Sequence, residues 1–152
     1  MNHSELEIKA KIQILKPVAA VFEALVNPEQ MSNYFLEHGS GRMEDGRTVT
    51  WKFPEFDMEF PVRAAKIEHN RYVSFYWETD GRECLVEIQL EPNENATIVT
   101  VTEKSMPLDA AGLQWLKSNT EGWANFLACL KAYLEYGINL RKGAFDFLKK
   151  DV

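Results

Sequence analysis

Large aromatic side chains recur at alternate positions of the predicted strands and along one face of the predicted last helix. Ligand pockets are mostly apolar and aromatic, with a few polar groups that orient the ligand. The shared face therefore predicts a small-molecule site, whose candidate ligand-binding residues are Trp51, Phe53, Phe60, Phe75, Trp77, Val86, Ile88, Glu103, Trp123 and Phe126. The alternative is that these side chains only fill the core, which is the commoner role of aromatic residues at such spacing.

Glu103 is the acidic candidate on this face, because it continues the inward parity of Val99 and Val101. An acidic side chain beside a pocket could bind a ligand hydroxyl or act as a general base. The alternative is a strand-end residue that reaches solvent or pairs with a lysine. Tyr34 could also donate a hydrogen bond into a pocket.

Other chemistries lack the residue spacing that they need. The three histidines, His3, His38 and His69, form no pair with metal-ligand spacing. The serines have no G-x-S-x-G context, and the isolated glycines form no phosphate loop. We therefore expect no metal ion, no cofactor and no catalytic residue of these kinds.

Composition narrows the classes of partner. The chain has 152 residues, of which 23 are acidic and 17 basic, for a net charge of -6. Nucleic-acid binding normally needs a basic stripe, so this balance argues against it. No apolar run approaches the roughly 20 residues that span a membrane. Residues 1–11 do not form a secretory signal, and Cys84 and Cys129 are expected as buried thiols rather than a bridge, so we expect a cytoplasmic protein.

The elements that must position the candidate residues begin with a strand. Apolar and charged residues alternate almost perfectly from Glu5 to Ile14, which predicts an antiparallel strand with one solvent-exposed face. Pro17 predicts the start of a short helix, and Pro28 starts a second one.

The middle of the chain predicts a meander of six further strands. Asp45-Gly46 and Asp80-Gly81 are hairpin turn signals, and Pro61 fits only an outward position or a bulge. The predicted strands are 38–43, 47–53, 56–67, 71–78, 84–90 and 96–103.

The end of the chain predicts a long amphipathic helix. Ser118 and Glu121 have the spacing of a capping box at its start, and Gly137 and Gly143 are candidates to bend or interrupt it. Phe145, Phe147 and Leu148 suggest a short extra helix that packs back on the body. We expect one domain over residues 1–152, with a helical extension at 137–152.

These elements predict an α+β fold: a curved seven-stranded antiparallel sheet around a long C-terminal helix, with two short helices after strand 1. A family likeness is carried by residues 17–29, Asp45-Gly46, Trp77-Glu78, Gly122-Trp123, Leu127, Leu130 and 133–135. On these residues and on the order of its elements, the sequence resembles the helix-grip fold of the START-like (SRPBCC, birch-allergen-like) superfamily, and most closely bacterial relatives of the heat-shock-protein-90 ATPase activator. The resemblance implies one START-like domain over residues 1–152.

The resemblance implies a ligand cavity between the sheet and the last helix, for an apolar, aromatic or lipid-like molecule. It also implies two alternatives, a chaperone-associated interaction module and a cyclase- or hydratase-type enzyme. The activators carry a separate N-terminal domain for chaperone binding that this sequence lacks, so a chaperone partner is less favoured. A homodimer could form through the outer sheet face or the extra helix.

Overall fold

Seven antiparallel strands form one sheet in the computed structural model, which describes residues 5–79 and 81–149. The strand order is β1-β7-β6-β5-β4-β3-β2, and α3 contacts β1, β7 and α1. This is the predicted α+β helix-grip arrangement. The elements are β1 Glu5–Ile14, α1 Val18–Val26, α2 Pro28–Met31, β2 His38–Gly39, β3 Thr48–Lys52, β4 Glu59–Glu68, β5 Tyr72–Thr79, β6 Arg82–Asn93, β7 Ala96–Pro107, α3 Ala110–Tyr136 and a 3-10 turn Asp146–Leu148.

One face of the sheet forms the core together with the helices, as the alternation predicts. In β1, Ile8 and Ile14 are buried while the charged residues between them face outward. In β7, Val99, Val101 and Glu103 are all fully buried. Burial of every second residue is what an antiparallel strand with one covered face requires.

The predicted hairpin at Asp45-Gly46 is wrong in its first strand, because β2 has only two residues. Met43 is buried and donates its backbone N–H to the Val26 carbonyl at 3.0 Å. This segment is therefore bonded to the end of α1 and does not pair with the sheet. The turn itself exists, and its Asp45 side chain accepts from the Ile67 N–H of β4 at 2.6 Å. Asp80, from the other turn signal, lies outside the described residues.

The capping box predicted at Ser118 and Glu121 is wrong, because α3 begins eight residues earlier, at Ala110. Asp109 is the N-cap, and its side chain accepts from the Gly112 N–H at 2.7 Å. A Cβ at Gly112 would lie 1.9 Å from the Pro107 carbonyl oxygen, so only glycine permits this approach of helix to strand. Buried Trp115 completes the packing of the first turns.

The helix ends at Tyr136 and is capped by Gly137, whose backbone is left-handed with φ of 66°. The following tail, residues 137–149, contains only a three-residue 3-10 turn in place of the predicted extra helix. Phe147 on that turn is 78% exposed. Residues 150–152 of the predicted extension lie outside the described residues.

Among residues 5–79 and 81–149, no helix is both long enough and apolar enough to cross a membrane. Cys84 and Cys129 are both buried and are not bridged to each other. Pro61 takes an exposed position opposite Thr50 near the start of β4, as its missing N–H requires.

Candidate functional site

An open cavity of about 670 Å³ lies beside β4, β5 and the middle of α3. The loop after β3 and the tail complete its walls. Nine aromatic side chains and several polar ones border it. The lining is Phe35, Phe53, Glu55, Phe56, Phe60, Pro61, Trp77, Glu78, Thr79, Ser118, Asn119, Glu121, Gly122, Trp123, Asn125, Phe126, Cys129, Arg141, Phe145, Phe147 and Leu148.

Half of the candidate ligand-binding residues come together at this cavity. Phe53 and Phe60 enter from the β3–β4 side, Trp77 from β5, and Trp123 and Phe126 from α3. The rings contact one another: the centroids of Trp77 and Trp123 are 5.6 Å apart, and those of Trp123 and Phe126 are 5.1 Å apart. These distances are typical of favourable aromatic pairs, so the wall is held by its own contacts.

The remaining apolar candidates lie elsewhere in the core. Trp51, Phe75 and Ile88 border a void of only about 10 Å³, and Val86 is fully buried and borders neither space. Trp51 and Phe75 pack edge to face with centroids 5.1 Å apart. The space between the central strands and α3 is therefore filled, and the open volume lies beside it.

Glu103 does not border the cavity but lies directly behind two of its rings. Its side chain is fully buried. Oε2 accepts from the Trp77 Nε1–H at 2.8 Å, and Oε1 accepts from the Trp123 Nε1–H at 2.8 Å and the Asn119 amide at 3.1 Å. Both oxygens are thus occupied by protein donors. The arrangement positions the indoles, and the general-base alternative finds no accessible carboxyl oxygen here.

Arg141 of the tail is held against the loop after β3. Its guanidinium donates two hydrogen bonds to Glu55, one of them at 3.1 Å, in a pair whose side chains are 14% and 6% exposed. The guanidinium carbon also lies 5.5 Å from the Phe53 ring centroid and 5.0 Å from that of Phe145. This bidentate ion pair and the two cation–π contacts hold the tail against the loop after β3.

The loop and tail residues of this site are not predicted by the sequence pattern. Glu55 and Phe56 follow a strand, and Arg141 and Phe145 follow the helix, so no strand or helix periodicity places them on a common face. The available signal was the apolar run Phe145, Phe147 and Leu148, which predicted only that the tail packs on the body.

Tyr34, the tyrosine predicted as a possible pocket donor, is engaged elsewhere. It is buried and its hydroxyl donates to the Ala24 carbonyl at 2.7 Å. Burial, and then the neighbouring Tyr133, hold the pKa of Tyr34 well above its usual value. In the described part of the chain, no group of three or more His, Cys, Asp or Glu side chains could hold a metal ion.

Comparison with known proteins places this geometry in a family. The model of the family described as activator of Hsp90 ATPase homolog 1-like protein matches residues 16–135. Among curated proteins, none matches the sequence significantly. The match ends within the last turn of α3, so the tail that bounds the cavity lies beyond it.

Solved structures agree with the fold. Protein SSP2350 from Staphylococcus saprophyticus is 34% identical over 90% of this chain and 96% of its own, with a TM-score of 0.79. DynU16, a protein in the dynemicin biosynthetic locus, is 25% identical over 87% of this chain but 48% of its own, with a TM-score of 0.77. The Aha1 dimer from Colwellia psychrerythraea is 22% identical over 87% of this chain and 98% of its own, with a TM-score of 0.75. The chain therefore belongs to the activator of Hsp90 ATPase homolog 1-like family.

Proposed function

We propose that this protein binds a small apolar, aromatic molecule in the cavity beside α3. The observation that carries the proposal is the aromatic-lined volume of about 670 Å³, which lies within the range of roughly 300–1,000 Å³ of drug-sized ligand pockets. The candidate contacts are Phe53, Phe60, Trp77, Trp123 and Phe126, with Glu103 holding the two indoles from behind.

A ligand-binding role also agrees with the kind of fold. DynU16, a structural neighbour, is described as a protein in the dynemicin biosynthetic locus. The indoles are fixed before any ligand arrives, because the two Trp N–H groups are already bonded to Glu103. A preformed wall lowers the entropic cost of binding.

The proposal is tested by obstructing the cavity at Gly122. A Cβ at this helical position would meet no heavy atom within 4 Å, so a phenylalanine has room that it takes from the cavity. We expect Gly122→Phe to weaken binding of 2-naphthalenemethanol at least tenfold by isothermal titration calorimetry, without lowering the melting temperature.

Gly122→Ala is the matched control, since it adds helix propensity without filling the space. It should bind the probe as the wild type does. Equal affinity of the Gly122→Phe protein and the wild type, or no binding of apolar aromatic probes to the wild type at all, would refute the proposal.

We also propose that the chain forms a homodimer. The support is the Aha1 structure, which is described as a dimer, together with three exposed apolar side chains at the end of α3 and the start of the tail: Tyr136, Ile138 and Leu140. Sedimentation velocity should give twice the 17.5 kDa of one chain, and a monomer at all micromolar concentrations would refute it.

A further inference from the structure

We infer, resting on the proposed function, that the cavity selects aromatic amines and rejects aromatic and aliphatic carboxylates. The selection follows from which polar groups of the lining remain available to a ligand. The cavity offers hydrogen-bond acceptors and aromatic faces, whereas its strongest donors are already bonded within the protein.

The indole N–H donors are not available to a ligand. The N–H groups of Trp77 and Trp123 both point to Glu103, at 2.8 Å each. An indole has only this one donor. The two rings therefore present their π faces and carbon edges to the cavity, and a ligand oxygen finds no N–H there.

The guanidinium of Arg141 is also unavailable. It is the one cationic side chain among the lining residues in the described part of the chain. Glu55 neutralises it through two hydrogen bonds. A ligand carboxylate could pair with Arg141 only by displacing Glu55, whose side chain is 6% exposed and would be left with a buried, unpaired charge.

The acceptors, in contrast, remain available. Glu78 at the end of β5 and Glu121 on α3 both border the cavity and are exposed. Neither forms an ion pair with any residue among 5–79 and 81–149. An ammonium group near them is attracted by two carboxylates, and the surrounding aromatic faces favour a cation as well. The same groups repel a carboxylate.

The test uses three probes with one ring system: 2-naphthylmethylamine, 2-naphthalenemethanol and 2-naphthoic acid. At pH 7 and low salt, titration calorimetry should give the tightest binding for the amine and the weakest for the acid. We expect the dissociation constant of the acid to exceed that of the amine about tenfold or more at low salt. The ratio should decrease as added salt screens the exposed carboxylates.

A double variant tests the assignment of the selectivity. Glu78→Gln/Glu121→Gln should remove most of the amine preference and leave binding of the neutral alcohol unchanged. Glu7→Gln/Glu91→Gln, on exposed positions away from the cavity, makes the same change in net charge and should keep the preference. It controls for attraction of cations by the whole protein, whose net charge is -6.

The outcomes separate the two proposals. If the alcohol binds but the acid binds as tightly as the amine, the inference is refuted and the proposed function stands. If the amine preference survives in the Glu78→Gln/Glu121→Gln protein, the assignment to these residues is refuted. If none of the three probes binds, the proposed function fails, and the inference fails with it.

Discussion

Glu103 orients two aromatic side chains of the cavity wall without bordering the cavity itself. Its two carboxyl oxygens accept from the indoles of Trp77 and Trp123 and from Asn119, and no solvent reaches it. Sequence parity predicted its inward direction correctly. The partners could not be predicted, because Trp77 lies 26 positions away on β5 and Trp123 lies 20 positions away on α3.

We expect Glu103→Gln to destabilise the protein by about 1–3 kcal/mol, because the new amide would place a donor against at least one indole donor. Urea unfolding measures this loss, and the indole N–H signals of Trp77 and Trp123 should move in the NMR spectrum. Glu91→Gln, on an exposed position of β6, is the control and should change neither. An unchanged free energy of unfolding for Glu103→Gln would contradict the positioning role.

A second residue-scale network lies on the outer face of the sheet. The Tyr72 hydroxyl donates to Glu87, which also pairs with Lys104 at 3.2 Å. The hydrogen bond from Tyr72 and the pairing with Lys104 lower the pKa of Glu87, while burial and the same hydrogen bond raise the pKa of Tyr72 to about 12. A carboxyl group whose pKa is lowered in the folded state stabilises the folded protein at pH values above its ordinary pKa of 4.5. This stabilisation is lost as the pH falls through the lowered folded-state pKa.

We therefore expect Tyr72→Phe to lower the free energy of unfolding by about 1 kcal/mol at pH 7, with a deficit that shrinks below about pH 4. The same variant should raise the pKa of Glu87 in an NMR titration. Tyr76→Phe is the matched control, because the Tyr76 ring lies under Arg63 and its hydroxyl makes no hydrogen bond with the described residues. A deficit that stays constant down to pH 3 would contradict the linkage.

At the scale of elements, the candidate site joins regular structure to two irregular segments. The strand β5 and the helix α3 supply the indoles, and their periodicity made these residues predictable. The loop after β3 and the tail supply Glu55, Phe56 and Phe145, which no periodicity marks. Likewise, the early start of α3 depends on Asp109 and on the contact of Gly112 with β7, which is a tertiary packing effect.

We expect Arg141→Ala to increase the dissociation rate constant of a bound naphthalene probe about tenfold. The substitution removes the ion pair between Arg141 of the tail and Glu55 of the loop, together with two ring contacts. Stopped-flow tryptophan fluorescence measures this rate. Lys142→Ala changes the neighbouring exposed cation of the same tail and should leave the rate unchanged. Equal rates for the Arg141→Ala protein and the wild type would show that the tail does not retain the ligand.

At the scale of the whole molecule, packing divides the space beneath the sheet in two. The central part is solid, since Trp51, Phe75 and Ile88 leave a void of only about 10 Å³ between them and their neighbours, and Val86 is fully buried. The open part lies beside it, with a volume of about 670 Å³. The sequence predicted a cavity beneath the sheet, but it could not predict which part is filled and which part is open. Side chains with the same inward parity fill one part and line the other.

The four tryptophans provide a direct measurement of which part takes the ligand. Trp77 borders only the large cavity, Trp51 borders only the small void, Trp123 borders both, and Trp115 borders neither. In a ¹⁵N-correlated NMR titration with 2-naphthalenemethanol, the indole N–H signals of Trp77 and Trp123 should shift most, and that of Trp115 should stay fixed. Saturation with the probe that shifts Trp115 or Trp51 most, or that leaves Trp77 and Trp123 unmoved, would contradict binding in the cavity.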